Sequence, residues 1–186
     1  MIFVCKSVID IRKNETKIFS IIFHDYKKIY YFKNYIEGGD VIVKGNIVFV
    51  GLSSRTSLDA VKELMEVLPS KFKVVPIQLR KKILHLDTVL NYVGETAVFY
   101  QEGIKDKKFD IHCYFKNVIF VEKQHQKYLP TNFLSLDNKT ILASKKNAVT
   151  NQRLKEVGID VMEGSFYEML KLGGSYRCCS LEIVKE

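Results

Sequence analysis

Four short runs of the sequence hold residue types able to do covalent or acid–base chemistry. One is Gly173-Gly174-Ser175-Tyr176-Arg177-Cys178-Cys179-Ser180, where a Gly-Gly turn delivers two thiols behind an arginine. A thiolate is a soft nucleophile, and Arg177 or a nearby histidine can lower a thiol's pKa, although a buried inert cysteine is the commoner state. Read as a strand over Tyr176 to Val184, the run alternates its side chains, so only one of Cys178 and Cys179 can enter a shared site. Leu84-His85-Leu86-Asp87-Thr88 also reads as extended, and its i, i+2 spacing points His85 and Asp87 into one space. A histidine beside a carboxylate is either an acid–base and cation-binding pair or a plain surface ion pair.

The other two runs are turns. In Ile36-Glu37-Gly38-Gly39-Asp40-Val41 the glycines make either a hairpin turn or a loop that lets Glu37 sit beside a cleft, with Asp40 bonding the loop's amides. In Phe49-Val50-Gly51-Leu52-Ser53-Ser54-Arg55-Thr56-Ser57 a strand enters a polar turn and then a helix. Arg55 there is either a solvated arginine or a fork for a ligand carboxylate, whose two oxygens match its paired donors.

The elements that must position these groups are short. Strands are expected over Met1 to Ile11, Lys17 to Phe23, Asp40 to Val43, Ile47 to Val50, Val74 to Leu79, Thr88 to Val93, Thr96 to Tyr100, Asn117 to Val121, Phe133 to Leu136 and Ile141 to Ala143. A helix over Ser57 to Leu68, capped by Ser57, lines up Leu58, Val61, Leu64, Met65 and Leu68. Two more are expected over Ala148 to Val157 and Ser165 to Leu172, each followed by glycine. Strand-turn-strand, helix, strand, repeated with variation, is the pattern of ββαβ units in a propeller-like ring. The 186 residues, 47% hydrophobic and 27% charged, suit one domain over residues 1–186.

Composition excludes several classes. No apolar run approaches the roughly 20 residues of a membrane span. The net charge of +8 comes from scattered lysine pairs such as Lys27-Lys28 and Lys145-Lys146, which read as solvated loops rather than a nucleic-acid surface. The four cysteines form no CxxC and the four histidines no i, i+4 pair, so no metal site is expected. Free thiols and an N-terminus without a secretory signal predict a cytoplasmic protein.

Taken in order, the EGGD loop, the GLSSRT turn, the HLD strand and the GGSYRCCS terminus resemble the guanidine-modifying superfamily: arginine deiminases, dimethylarginine dimethylaminohydrolases and amidinotransferases. The resemblance runs from about Ile36 to Ile183. It implies an α/β pentein-type propeller with Glu37, His85 and Cys178 converging on one cleft. It makes Cys178 the nucleophile, His85 the general acid/base, Glu37 its orienting partner, Asp87 the guanidinium-binding acid and Arg55 the clamp on the substrate's α-carboxylate. The implied activity is hydrolysis of an arginine-type guanidino group without metal or cofactor. An amidinotransferase, or a catalytically impaired relative that binds or builds, is the alternative. The only partner implied is the small guanidino substrate, with room for a homo-oligomer.

The resemblance departs from the family in two places. The family begins with a further module, so the chain is expected to lack the first part of the ring. Members also carry an acid in an early strand, in runs such as F-x-R-D, where Phe3-Val4-Cys5-Lys6 places Lys6. A unit charge about 4 Å away is worth about 4 kcal/mol at an effective dielectric near 20. Lys6 is therefore expected to face the site and oppose the guanidinium, unless Asp10 or Asp25 takes the acid's place.

Overall fold

The structure is a computed structural model that describes residues 2–15, 23 and 28–181. These residues fall into two compact units, Met1–Leu86 and Asp87–Glu186.

In the first unit β1 (Ile2–Val4) pairs in parallel with β2 (Ile29–Tyr31). A three-stranded sheet then follows, built from β3 (Val41–Lys44), β4 (Ile47–Leu52) and β5 (Lys73–Gln78) with β4 central. β3 and β4 are antiparallel and close through a two-residue loop whose Gly45 has φ +57, the left-handed conformation that tight hairpins use. β5 runs parallel to β4, which requires a crossover, and α1 (Leu58–Val67) supplies it. β4 reads Ile-Val-Phe-Val-Gly-Leu without alternation because it is covered on both faces: Val48, Phe49 and Val50 are all buried.

The second unit repeats this order twice. β6 (Leu90–Val93) and β7 (Thr96–Phe99) form a hairpin around Gly94, φ +52, and β8 (Asn117–Phe120) returns parallel to β7. β9 (Leu134–Ser135) pairs antiparallel with β10 (Thr140–Ser144), and α2 (Ala148–Glu156) crosses over to β11 (Asp160–Gly164), parallel to β10. In the β7–β8 crossover the helix is replaced by 3-10 turns at Gln101–Gly103 and Ile111–Cys113. A short α3 (Tyr167–Lys171) precedes the C-terminal run.

Ser57 caps α1 as its position suggests, accepting the Ala60 N–H at 3.2 Å. The buried face differs from the predicted one. Ala60, Val61, Glu63 and Leu64 are buried, while Leu58 and Met65 are about half exposed. The stripe is rotated because α1 buries an acid. The Glu63 carboxylate accepts the Lys33 N–H at 2.7 Å, the Asn34 N–H at 3.0 Å, the Asn34 side-chain amide at 2.9 Å and the Tyr30 hydroxyl at 2.8 Å. Two edge strands, Ile29–Tyr31 and Asp160–Gly164, were not expected, since neither alternates cleanly. The expected Lys17-to-Phe23 strand lies outside the described residues except for Phe23.

Glu63→Ala is expected to destabilise the protein by about 2–4 kcal/mol in urea titrations, because it removes the acceptor of two backbone amides, a side-chain amide and a hydroxyl. Burial alone would raise the Glu63 pKa, but the bonds from Lys33, Asn34 and Tyr30 bring it below the ordinary range. Its contribution is therefore full above about pH 4.3 and lost as pH falls through the depressed value. Glu63→Gln should flatten that part of the pH profile.

Candidate active site

In the first unit the EGGD and GLSSRT runs form one structure. Gly38–Asp40 is a 3-10 turn leading into β3, not a hairpin turn. Asp40 is fully buried, and its carboxylate accepts Ser53 Oγ and Thr56 Oγ1, both at 2.7 Å, and the Leu86 N–H at 2.9 Å. Burial pushes the Asp40 carboxyl upward, opposed first by the Ser53 and Thr56 bonds. Thr56 Oγ1 in turn accepts the Glu37 N–H at 3.1 Å. Asp40 thus ties together the polar turn after β4, the loop before β3 and the last residue of the unit, Leu86, and that junction sets where Glu37 and His85 lie.

Glu37 is 4% exposed and takes four side-chain donors. His85 Nε2 lies 2.8 Å from Oε2, Arg12 Nη1 3.1 Å from the same oxygen, Ser7 Oγ 2.6 Å from Oε1, and Arg55 Nη1 3.2 Å from Oε1. Burial raises the carboxyl pKa, but the Ser7 bond, then the His85 bond and the His85 and Arg12 charges, bring it below the ordinary range. A carboxylate that stays ionised beside a histidine fixes the orientation of the ring. Gly39 is part of that geometry. A Cβ there would stand 2.8 Å from His85 Cγ and Nδ1, so only glycine lets the ring lie against the loop. Arg55 is held by Glu37, and Ser7 and Arg12 join the cluster without any signal in the sequence beyond their polarity.

Lys6 does not join it. Its ammonium donates to the Lys33 carbonyl at 2.6 Å and stands 5.1 Å from the Tyr35 ring centre. Cys5 occupies the neighbouring inward position: burial first, then Glu37, pushes its thiol up to about 11. Lys6 pairs with Ile36 as an isolated bridge, and the alternation of extended backbone turns it outward. Asp10 opens a 3-10 turn and is exposed, and Asp25 lies outside the described residues.

In the second unit Asp87 is 2% exposed and sits in a 3-10 turn, Leu86–Thr88, rather than in the expected strand. The i, i+2 argument for His85 and Asp87 therefore does not apply. Arg177–Cys179 is also a 3-10 turn, so strand alternation cannot separate the two thiols. Contact does separate them. Cys178 Sγ stands 3.9 Å from Asp87 Oδ2, and Arg177 Nε stands 3.6 Å from the same oxygen. The Cys178 thiol is raised above the ordinary cysteine range, first by burial and then by the Asp87 charge. This reverses the expectation that Arg177 would lower it: the carboxylate is the stronger neighbour. The buried residue holding this turn, Asn132, was not singled out by the sequence. Its side-chain oxygen accepts the N–H groups of Ser175 and Cys178 at 3.1 and 3.2 Å. Among the described residues no group of three or more His, Cys, Asp or Glu is placed to hold a metal.

Gly39→Ala should displace the His85 ring from Glu37 while leaving the sheet intact. Imidazole nitrogen NMR checks this: the His85 Nε2 chemical shift should move as its 2.8 Å contact with Glu37 lengthens. An unchanged spectrum would show that the ring does not depend on Gly39.

Comparison with known proteins places the chain. The family described as N,N dimethylarginine dimethylhydrolase, eukaryotic, matches residues 2–185. An uncharacterized protein of Bacillus subtilis (strain 168), YkgA, is 36% identical over 178 residues, covering 94% of this chain and 62% of its own length. Among solved structures, ArgZ, an arginine dihydrolase from cyanobacteria, superposes with TM-score 0.88 at 22% identity over 99% of this chain and 31% of its own. DDAH from Pseudomonas aeruginosa, a cysteine-to-serine mutant complexed with citrulline, superposes with TM-score 0.79 at 20% identity, over 92% of this chain and 67% of its own. The fold is the pentein fold, and the chain spans under two-thirds of the length of the Bacillus relative. With a match from near one end to the other and the same strand order three times over, the chain belongs to the N,N dimethylarginine dimethylhydrolase family.

Proposed function

We propose that the protein hydrolyses the guanidino group of free arginine or a methylated arginine, with Cys178 as nucleophile. The observation that carries the reading is the 3.9 Å approach of Cys178 Sγ to Asp87 Oδ2. A guanidinium bound by that carboxylate presents its central carbon to the sulfur, and its charge draws the proton off a thiol that is otherwise held protonated. A guanidinium carbon is a poor electrophile because its charge is delocalised, so a soft sulfur nucleophile suits it.

The steps balance with residues of this chain and one water. The Cys178 thiolate adds to the guanidinium carbon. The C–N bond to the terminal nitrogen breaks as His85 gives that nitrogen a proton, releasing ammonia or a methylamine and leaving an S-alkylthiouronium on Cys178. His85 then takes a proton from water, the hydroxide adds to the same carbon, and the C–S bond breaks as the added hydroxyl loses its proton to solvent. A ureido amino acid leaves and the thiolate is restored. Glu37 holds the imidazole and its charge through both transfers. Arg55 takes the α-carboxylate, exchanging or sharing its bond to Glu37.

Lys6 does not oppose this reading, since its ammonium is engaged by Lys33 and Tyr35. The membership of the dimethylarginine family and the arginine dihydrolase and citrulline-bound neighbours support the substrate class.

A colorimetric ureido assay with arginine, methylated arginines and agmatine tests the activity. Product should form from at least one amino-acid substrate and be abolished in Cys178→Ser; no product from a folded protein would overturn it. Arg55→Ala should weaken arginine about 10- to 150-fold more than agmatine, the equivalent of a charged hydrogen bond worth roughly 1.5–3 kcal/mol. Because Arg55 also braces Glu37, the rate constant should fall for both substrates. Equal weakening of the two would make Arg55 a brace alone.

A further inference from the structure

Two neighbouring residues hold both members of the Asp87–Cys178 pair. Thr131 is fully buried and its hydroxyl donates to the Asp87 carbonyl at 3.0 Å. Asn132, 1% exposed, accepts the Ser175 and Cys178 amides on its side-chain oxygen, and its own carbonyl accepts the Arg177 N–H at 3.3 Å. One dipeptide therefore reaches 44 residues back to the acid and 46 residues on to the thiol. The Asn132 N–H is itself fixed by the carbonyl of Leu129, whose φ is +49. A left-handed leucine is uncommon and marks a backbone held in place by its surroundings.

We infer that Thr131 and Asn132 are positioning residues that set the distance between the Asp87 carboxylate and the Cys178 sulfur. The inference rests on the proposed role of Cys178 and deepens it: neither residue touches the reacting carbon, yet both decide whether the sulfur meets it. Burial, then Asp87 and Cys179, disfavour the Cys178 thiolate while Ser175 and Asn132 favour it, and Arg177 acts on Asp87 from the side, all within the same unit. Asn132 Nδ2 is buried with no hydrogen-bond partner among the described residues, so an aspartate there loses no bond from that nitrogen.

Iodoacetamide labelling of the whole protein across pH, with tandem mass spectrometry to separate Cys178 from Cys179, tests the inference without relying on turnover. Asn132→Asp keeps an acceptor for both amides but adds a negative charge beside the thiol. Cys178 labelling at neutral pH should slow about tenfold, as a one-unit rise in its pKa would give, with Cys179 unchanged. Asn132→Ala releases the turn, so Cys178 should move off Asp87 and its pH midpoint should fall toward that of a free cysteine. Thr131→Val should shift the Cys178 profile and Thr131→Ser should restore it. Wild-type Cys178 profiles in Asn132→Asp and Thr131→Val would overturn the inference, and Asn132→Asp decides it even where Asn132→Ala does not fold. Shifted profiles together with undiminished turnover in Cys178→Ser would keep the positioning role and discard the nucleophile.

Discussion

The ionised carboxylate of Glu37, buried and ringed by four donors, is the constraint on which the first unit is built. A charge in that position is tolerable only when every lone pair is answered, and the answers come from four separate stretches: Ser7, Arg12, Arg55 and His85. Its backbone is fixed independently, through Thr56 to the second buried acid, Asp40. The two carboxylates have opposite characters. Glu37 is kept charged by cations and donors, whereas burial outweighs the bonds that favour the charged form of Asp40. One supplies a field for the histidine and the other supplies a rigid joint.

The second unit uses a different device. Asp87 and Cys178 face each other across a gap too long for a strong hydrogen bond and short enough for their charges to compete. The carboxylate disfavours a thiolate beside it. In the proposed reaction a cation between them reverses the sign of that influence, so the substrate itself completes the nucleophile. Arg177 steadies the acid from the side without abolishing its charge.

The sequence disclosed the residue types better than their geometry. Glu37, Asp40, Arg55, His85 and Cys178 are legible because charged and nucleophilic groups stand out beside glycine turns. The hairpins at Gly45 and Gly94 and the fully apolar β4 follow from local rules, and so does the cap at Ser57. What fails is the extended reading around Asp87 and Cys178, since both sit in single 3-10 turns set by contacts more than 40 residues away. No local pattern encodes such turns. Asn132 is invisible for the same reason: one asparagine two residues after a proline reads as a loop residue until its two acceptor bonds are seen. Lys6 was misjudged because its direction is settled by the Lys33 carbonyl and the Tyr35 ring, neither of which its own run contains.

The raised Cys178 thiol also bears on chemical lifetime. Peroxide and other oxidants attack thiolates, and the climb from sulfenic to sulfinic acid soon becomes irreversible. Cys178 is exposed, but the Asp87 carboxylate 3.9 Å away disfavours its thiolate, the form that oxidants attack. In the proposed reaction, the cation that favours the thiolate also covers it during its reactive interval. On the proposed mechanism, the carboxylate that slows Cys178 toward stray electrophiles also slows its loss to oxidation.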